Sequence, residues 1–303
     1  MQDQQKPILI FAQNGRFLAQ SATQAGYCVW VADCFGDQDL INIADRWHAL
    51  SSISNLTSEQ FIALLSQLSN GKACYLICGS GIEHCFQFLA NLPENIELIG
   101  NSLNTIQTIK TPHLFFSLLQ KLNIHHPETH LSLPTDAESY IAKSASGYGG
   151  LHIQEATQTS HSSSVYYQRF VEGQSGSVLF LANGKQCQLL SINQQHLSPT
   201  VQTPFRLDRI ESPWKVSEQH QKTLHSIINN ITAEIGLVGL NSLDFIISTD
   251  NDLVVLEINP RPSASAELIN DRLLFQYHLN ACQGDLPLTT LPITTELSSV
   301  KTI

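Results

Sequence analysis

Two short apolar segments near the end of the chain restrict its fold more than any other feature. Leu243-Asp244-Phe245-Ile246-Ile247 and Leu253-Val254-Val255-Leu256-Glu257-Ile258-Asn259-Pro260-Arg261 flank Thr249-Asp250-Asn251-Asp252, the pattern of two strands joined by a polar turn. A hairpin symmetric about Asp250 and Asn251 sets Asp244 directly opposite Glu257. Because side chains alternate between faces, Glu257 and Asn259 share one. Opposed residues have Cβ atoms ~4.5–5.5 Å apart, and two unit charges at ~5 Å repel by about 3 kcal/mol at an effective dielectric of ~20. A hard divalent cation turns that penalty into a site, since two carboxylates and an amide oxygen suit Mg²⁺, with nucleotide phosphates completing the shell. A solvated hairpin face whose charges tolerate each other is the other reading this pattern leaves open.

Two further segments bear on phosphate and base binding. Tyr140-Ile141-Ala142-Lys143 is a short strand running into Ser144-Ala145-Ser146-Gly147-Tyr148-Gly149-Gly150. A lysine at such a strand end can hold a phosphate oxygen while loop N–H groups cover others, although a small-residue segment is equally a plain loop. Tyr166-Tyr167-Gln168-Arg169-Phe170-Val171-Glu172-Gly173 is an apolar strand ending in Glu-Gly, compatible with an adenine slot or with any edge strand. No P-loop is present, and Gly79-Ser80-Gly81 lacks the third glycine of the dinucleotide fingerprint.

The rest of the chain supplies the frame. Strands at Pro7–Ala12, Tyr27–Ala32, Leu76–Cys78 and Ile96–Ile99 alternate with helical segments, implying a parallel sheet in the first ~100 residues. Helical spacing runs from Leu103 to Leu122, and a helix follows Gly79–Glu83 as far as Leu92. Strands are expected at Val165–Phe170, Val178–Leu181 and Gln188–Ile192, and helices at Thr223–Ile235 and Ser265–Leu279. The Thr/Pro/Ser-rich stretch after Gly284 has no readable pattern. With 303 residues the chain is long enough for two or three domains. Sixteen Lys and Arg against 26 Asp and Glu give a net charge of −10, which argues against nucleic acid as a partner. No apolar run approaches a membrane span, and the opening Met-Gln-Asp-Gln-Gln is not a signal peptide, so a soluble cytoplasmic protein is expected. Seven cysteines, an odd number with no C-x-x-C pair, read as buried free thiols, and the 12 histidines show no zinc spacing.

Taken in order from residue 7 to about 280, these pieces resemble the ATP-grasp superfamily. The features carrying the likeness are Lys110 in Ile109-Lys110-Thr111-Pro112, Lys143 with its glycine loop, the hinge at 168–173, and Asp-Phe-Ile followed by Glu-Ile-Asn-Pro-Arg. Gly79-Ser80-Gly81-Ile82-Glu83 and Gly100-Asn101-Ser102 look like a subgroup of ATP-dependent carboligases related to biotin carboxylase, whose neighbours include ligases that attach glutamate in cofactor pathways. The resemblance implies an α/β chain with α+β lobes: a Rossmann-like domain over 1–100, a small lobe over 101–172, a large lobe over 173–285 carrying the metal hairpin, and a tail over 286–303.

It also implies roles for residues. Lys110 and Lys143 would contact ATP phosphates, under a loop formed by Gly147, Gly149 and Gly150. Gln168, Phe170, Val171 and Glu172 would line the adenine. Asp244, Glu257 and Asn259 would hold Mg²⁺, or Mn²⁺ in its place, and Arg261 with Lys143 would stabilise the transferring phosphoryl group. The glutamate that commonly holds ribose is replaced by Gln174-Ser175. The implied activity joins a small-molecule carboxylate to an amine through an acyl phosphate, in a homodimer. A carboxylase using bicarbonate and a non-catalytic ATP-binding regulator remain the alternatives.

Overall fold

The computed structural model describes residues 5–147, 149–158, 165–269, 271–288 and 298–301. Five parallel strands come first: β1 (Ile8–Ala12), β2 (Val29–Asp33), β3 (Arg46–Ala49), β4 (Cys74–Cys78) and β5 (Ile96–Leu98), in the order β3-β2-β1-β4-β5. Helices α1 (Arg16–Gln24), α2 (Gln38–Ile43) and α3 (Ser58–Ser69) connect them. β1 and β2 are buried throughout, as a parallel sheet covered on both faces requires. The strand order reverses between β1 and β4, so a crevice opens beyond their carboxyl ends, where Gln13-Asn14 and Gly79-Ser80 stand.

Local chemistry sets several boundaries. Thr57 and Gln60 form a capping box at the start of α3. The helical spacing expected from Leu103 to Leu122 is two helices, α4 (Leu103–Lys110) and α5 (Pro112–Lys121). Pro112 pushes Thr111 out of the helical region, to φ −101° and ψ 109°, and then opens α5 at its first turn. The helix expected after Gly79–Glu83 is instead a pair of 3₁₀ turns, Ile82–His84 and Phe86–Asn91.

The small sheet is β6 (Thr129–His130), β7 (Tyr140–Ser144), β8 (Ile153–Glu155) and β9 (Val165–Arg169), ordered β6-β9-β7-β8. The large antiparallel sheet holds β10 (Gly173–Asn183), β11 (Cys187–Leu197), β12 (Leu207–Ser212), β13 (Val238–Ser248), β14 (Leu253–Asn259) and β15 (Ser298–Lys301), ordered β14-β13-β10-β11-β12-β15. β10 and β11 far outrun their apolar centres, because both long strands find hydrogen-bonding neighbours on each side. On one face of this sheet, Leu224, Ile228 and Ile231 of α6 (Glu218–Ile235) are fully buried against Val178, Phe180, Leu243 and Phe245, each side chain contributing about 1.5–3 kcal/mol. On the other face α7 (Leu274–Cys282) packs Leu274 and Ala281 against Leu179, Leu181 and Leu240. The closing helix expected at Ser265–Leu279 is thus a 3₁₀ turn at Ala264–Leu268 followed by α7. Asn270 between them, Tyr148 of the glycine loop, and residues 289–297 and 302–303 of the tail lie outside the described residues.

Candidate active site

The hairpin places Asp244 opposite Glu257 and Ser242 opposite Asn259. Beyond Asp244 the ladder shifts by one residue, so that Phe245 pairs with Val255 and Leu256 is the extra residue of a β-bulge. Asn259 Nδ2 donates to Asp244 Oδ2 at 3.4 Å and Gln195 Nε2 donates to Asp244 Oδ1 at 3.2 Å. Gln195 in turn accepts from Ser175 Oγ at 2.7 Å. Burial and the facing Glu257 hold the Asp244 carboxyl well above the usual carboxylate range. Burial pushes Glu257 in the same direction, but the charges of Lys110 and Lys143 outweigh it and hold this carboxyl below its usual value. Two carboxylates and an amide oxygen facing one cavity fit a hard divalent cation. Among the described residues no three His, Cys, Asp or Glu side chains gather as metal ligands; the Asn259 amide is the further oxygen-bearing group beside the two carboxylates.

Arg261 follows directly from the end of β14 and is buried. Its Nε donates to Glu83 Oε1 at 2.6 Å, and its Nη1 donates to the Pro262 carbonyl. Glu83 Oε2 accepts from the Gly81 N–H at 2.9 Å, a contact that needs the left-handed Gly81 (φ +96°). Despite burial, Arg261 and then Lys110 hold the Glu83 carboxyl below its usual range. Nearby, Asn101 Nδ2 donates to Asn241 Oδ1 at 2.7 Å and to the Pro260 carbonyl at 2.9 Å, while its Oδ1 accepts from Val238 N–H at 2.9 Å. The parallel sheet thereby fixes the 259–261 segment at two points.

Lys143, on β7, is buried and donates from Nζ to Gln168 Oε1 at 2.7 Å. Burial lowers its pKa, opposed by the negative charges of Glu257 and Asp244. Lys110, at the end of α4, acts electrostatically on Glu83, Asp244 and Glu257. Asp244, Glu257, Asn259, Arg261, Lys110 and Lys143 thus form one charged neighbourhood. A cavity of about 290 Å³ opens on it, lined by Asp244, Glu257, Asn259, Arg261, Gly149 and Gln195, and reaches the crevice at Gln13-Asn14 and Gly79-Ser80.

The hinge residues are disposed differently. The Gln168 side chain is fully buried on Lys143 and Thr129, whereas Phe170 is 51% exposed and its ring meets Phe205 at 6.1 Å. Val171 is half-buried and Glu172 exposed. In the glycine loop Gly149 accepts from Leu207 N–H at 3.0 Å. At Gly150 (φ +73°) a Cβ would stand 1.9 Å from the Phe205 carbonyl oxygen, so this close approach admits only glycine. Gly147 packs against His152. Lys110, Lys143, Gln168, Phe170, Val171, Glu172, Gly147 and Gly150 do not line the cavity at the carboxylate pair; Lys110 lines a smaller one that Glu257 also borders.

Gln195, Glu83 and Asn101 were not singled out by the sequence as site residues. Gln195 had a signal, since Ser191, Asn193 and Gln195 place a polar side chain at every second position of one strand. Glu83 and Asn101 stand in the two segments that carried the family resemblance, but neither was given a role, because their partners lie 178 and 159 positions away. All seven cysteines are free, and four of them are buried. Burial raises Cys74 to about 11, so these are unreactive thiols. Cys28 is exposed instead.

Residues 107–265 match the ATP-grasp domain family. The sequence matches none of the curated proteins. Among solved structures, N5-carboxyaminoimidazole ribonucleotide synthetase from Thermotoga maritima superposes with a TM-score of 0.68 at 19% identity, over 95% of this chain and 78% of that one. L-amino acid ligase from Bacillus licheniformis gives 0.72 at 16% identity, over 94% and 76%. Biotin carboxylase from Campylobacter jejuni gives 0.70 at 16% identity, over 93% and 72%. At these identities the likeness is one of fold.

Proposed function

Since the chain belongs to the ATP-grasp family, we propose that it is an ATP-dependent carboxylate–amine ligase, the class of the glutamate ligations in cofactor biosynthesis. The observation that carries this reading is the in-register Asp244–Glu257 pair, with Asn259 and Arg261 on the same cavity. In this reading the γ-phosphoryl group of ATP passes to a substrate carboxylate and ADP leaves. The amine then attacks the acyl carbon, losing a proton, and phosphate departs as the amide forms. Asp244, Glu257 and Asn259 would hold Mg²⁺ or Mn²⁺, which when bound would supply charge neutralisation for the nucleotide phosphates.

The chain's own cations do the rest. Lys143 and Lys110 hold phosphate oxygens, and Arg261, kept in place by Glu83, stabilises charge on the transferring group. Phosphate is a sufficient leaving group, so the reaction needs no protein nucleophile. No described helix is long and apolar enough to cross a membrane, in keeping with our proposal of a cytoplasmic enzyme.

The test is ADP release from Mg-ATP over a panel of carboxylates and amines, with hydroxylamine to trap an activated acyl group. ADP should accumulate only when both partners are present. Release driven by bicarbonate as the carboxylate would make this a carboxylase. AMP and pyrophosphate, or tight nucleotide binding with no turnover on any pair, would sink the ligase reading.

A further inference from the structure

The cavity that holds the carboxylate pair contains a second charged pair, Arg16 and Glu267, outside the residues assigned above to phosphoryl transfer. Arg16 opens α1 directly after the β1 turn, and Glu267 sits in the 3₁₀ turn Ala264–Leu268. Both line the cavity. Arg16 Nη2 and Glu267 Oε2 stand 3.9 Å apart, with side chains 39% and 27% exposed. That separation exceeds hydrogen-bonding range, and among the described residues neither side chain makes a hydrogen bond.

Burial raises the Glu267 carboxyl, and the charged groups acting on it are Arg16 and Asp37, not Asp244 or Glu257. The turn bearing Arg16 is fixed from below, because buried Asp33 accepts from Gly15 N–H at 3.2 Å and Asn14 Oδ1 accepts from Arg16 N–H at 3.0 Å. Phe17, Phe35 and Leu151 give the same cavity apolar walls. The whole lies at the reversal point of the parallel sheet, where open α/β sheets bind their ligands.

An anchored cation and a partly desolvated anion, held as a long ion pair at 3.9 Å without a direct hydrogen bond, complement a zwitterion. A guanidinium takes a carboxylate through paired N–H groups, and a carboxylate takes an ammonium. The two groups of an α-amino acid, joined through one carbon, meet both requirements at once, and the apolar walls accept its methylenes.

We propose that one substrate is an α-amino acid gripped by its head group, its α-carboxylate on Arg16 and its α-ammonium on Glu267. Both head groups are then withdrawn from reaction, and a side-chain carboxylate or amine is the group presented to Arg261 and the carboxylate pair. This rests on the ligase reading and specifies its substrate class.

The test uses the whole 303-residue chain with Mg-ATP, the twenty L-amino acids and analogues lacking one head group, each supplied with the same panel of partner carboxylates and amines. For L-glutamate these are glutarate and 4-aminobutyrate; for L-lysine, 6-aminohexanoate and cadaverine. The intact amino acid should show a KM at least ~10-fold below those of its analogues, the scale of one charged hydrogen bond. Arg16→Ala should raise that KM at least ~10-fold while leaving kcat, the melting temperature and the KM of the decarboxylated analogue unchanged. Glu267→Gln should do the same with respect to the deaminated analogue. Analogues used as well as the intact amino acid, variants that affect all substrates alike, or no response to any amino acid would overturn the proposal. Calorimetric titration of the same amino acids into the MgADP-loaded protein separates the two readings. Arg16-dependent binding without any ADP release would leave the head-group site standing and remove the ligase. ADP release from substrates other than amino acids, insensitive to Arg16 and Glu267, would do the reverse.

Discussion

Replacing Asp244 by asparagine removes one of two negative charges that β13 and β14 bring into direct register. At the ~5 Å typical of opposed residues, the relieved repulsion is about 3 kcal/mol at an effective dielectric of ~20. Part of it is lost again, because Lys110 and Arg261 attract the Asp244 charge and the new amide must share hydrogen bonds with Gln195 and Asn259. A net gain of roughly 1–2 kcal/mol remains, a rise of about 1.5–3 °C in melting temperature for a chain of this size. The pH dependence follows from the raised folded pKa. Asp244 contributes stability below its unfolded value of ~3.9, and that contribution is lost as pH rises through the folded pKa. The gain from Asp244→Asn is therefore present at neutral pH and disappears toward pH 4. The assay is calorimetric melting at both pH values without nucleotide or metal, beside Mg-ATP turnover, which should fall at least ~100-fold. A lower melting temperature at pH 7, or an equal gain at both pH values, would refute the charge argument, since packing alone would then account for the change.

Glu257→Gln should behave differently, because Lys110 and Lys143 keep Glu257 ionised. Its removal should leave the melting temperature unchanged or lower while turnover again falls ~100-fold, measured in the same two assays. His278 is buried between the Leu240 N–H, which it accepts at 2.9 Å, and the Ile99 carbonyl at 3.2 Å, and burial lowers it to about 4. Above pH ~6.5 it costs nothing; between there and about 4 the unfolded chain takes up a proton that the folded one refuses, a loss of about 3 kcal/mol. His278→Gln should flatten the acid limb of the melting-temperature profile, and an unchanged slope would show that the imidazole is not its source. Asn101→Ala strips three bonds, those with Asn241, Pro260 and Val238, and should cost about 3 kcal/mol or more in urea unfolding.

The hairpin was legible because its chemistry is local. Asp244 and Glu257 face each other as the symmetric turn required, yet the turn is off-centre by one residue and the bulge at Leu256 restores the register. Apolar runs announced β1, β2 and β4, whereas β3 (Arg-Trp-His-Ala) alternates half-buried and exposed positions and had no run to find. The spacing from Leu103 to Leu122 stayed periodic across Pro112, so periodicity outvoted the one residue that breaks the helix. β15 (Ser-Ser-Val-Lys) forms only because β12 offers it a free edge. Such strands carry their cause on another segment, which no local pattern displays.

The Glu83–Arg261 and Asn101–Pro260 contacts have an engineering consequence. The family match begins at residue 107, past both Glu83 and Asn101. Breaking a buried ion pair by removing one partner costs about 3–5 kcal/mol, so a chimera that grafts this lobe onto a foreign leading sheet inherits a stranded guanidinium. Any exchange of the first hundred residues must therefore bring a carboxylate to the place of Glu83 and an amide to that of Asn101 together. The two halves of the chain are interlocked like key and ward, and they can diversify only in step.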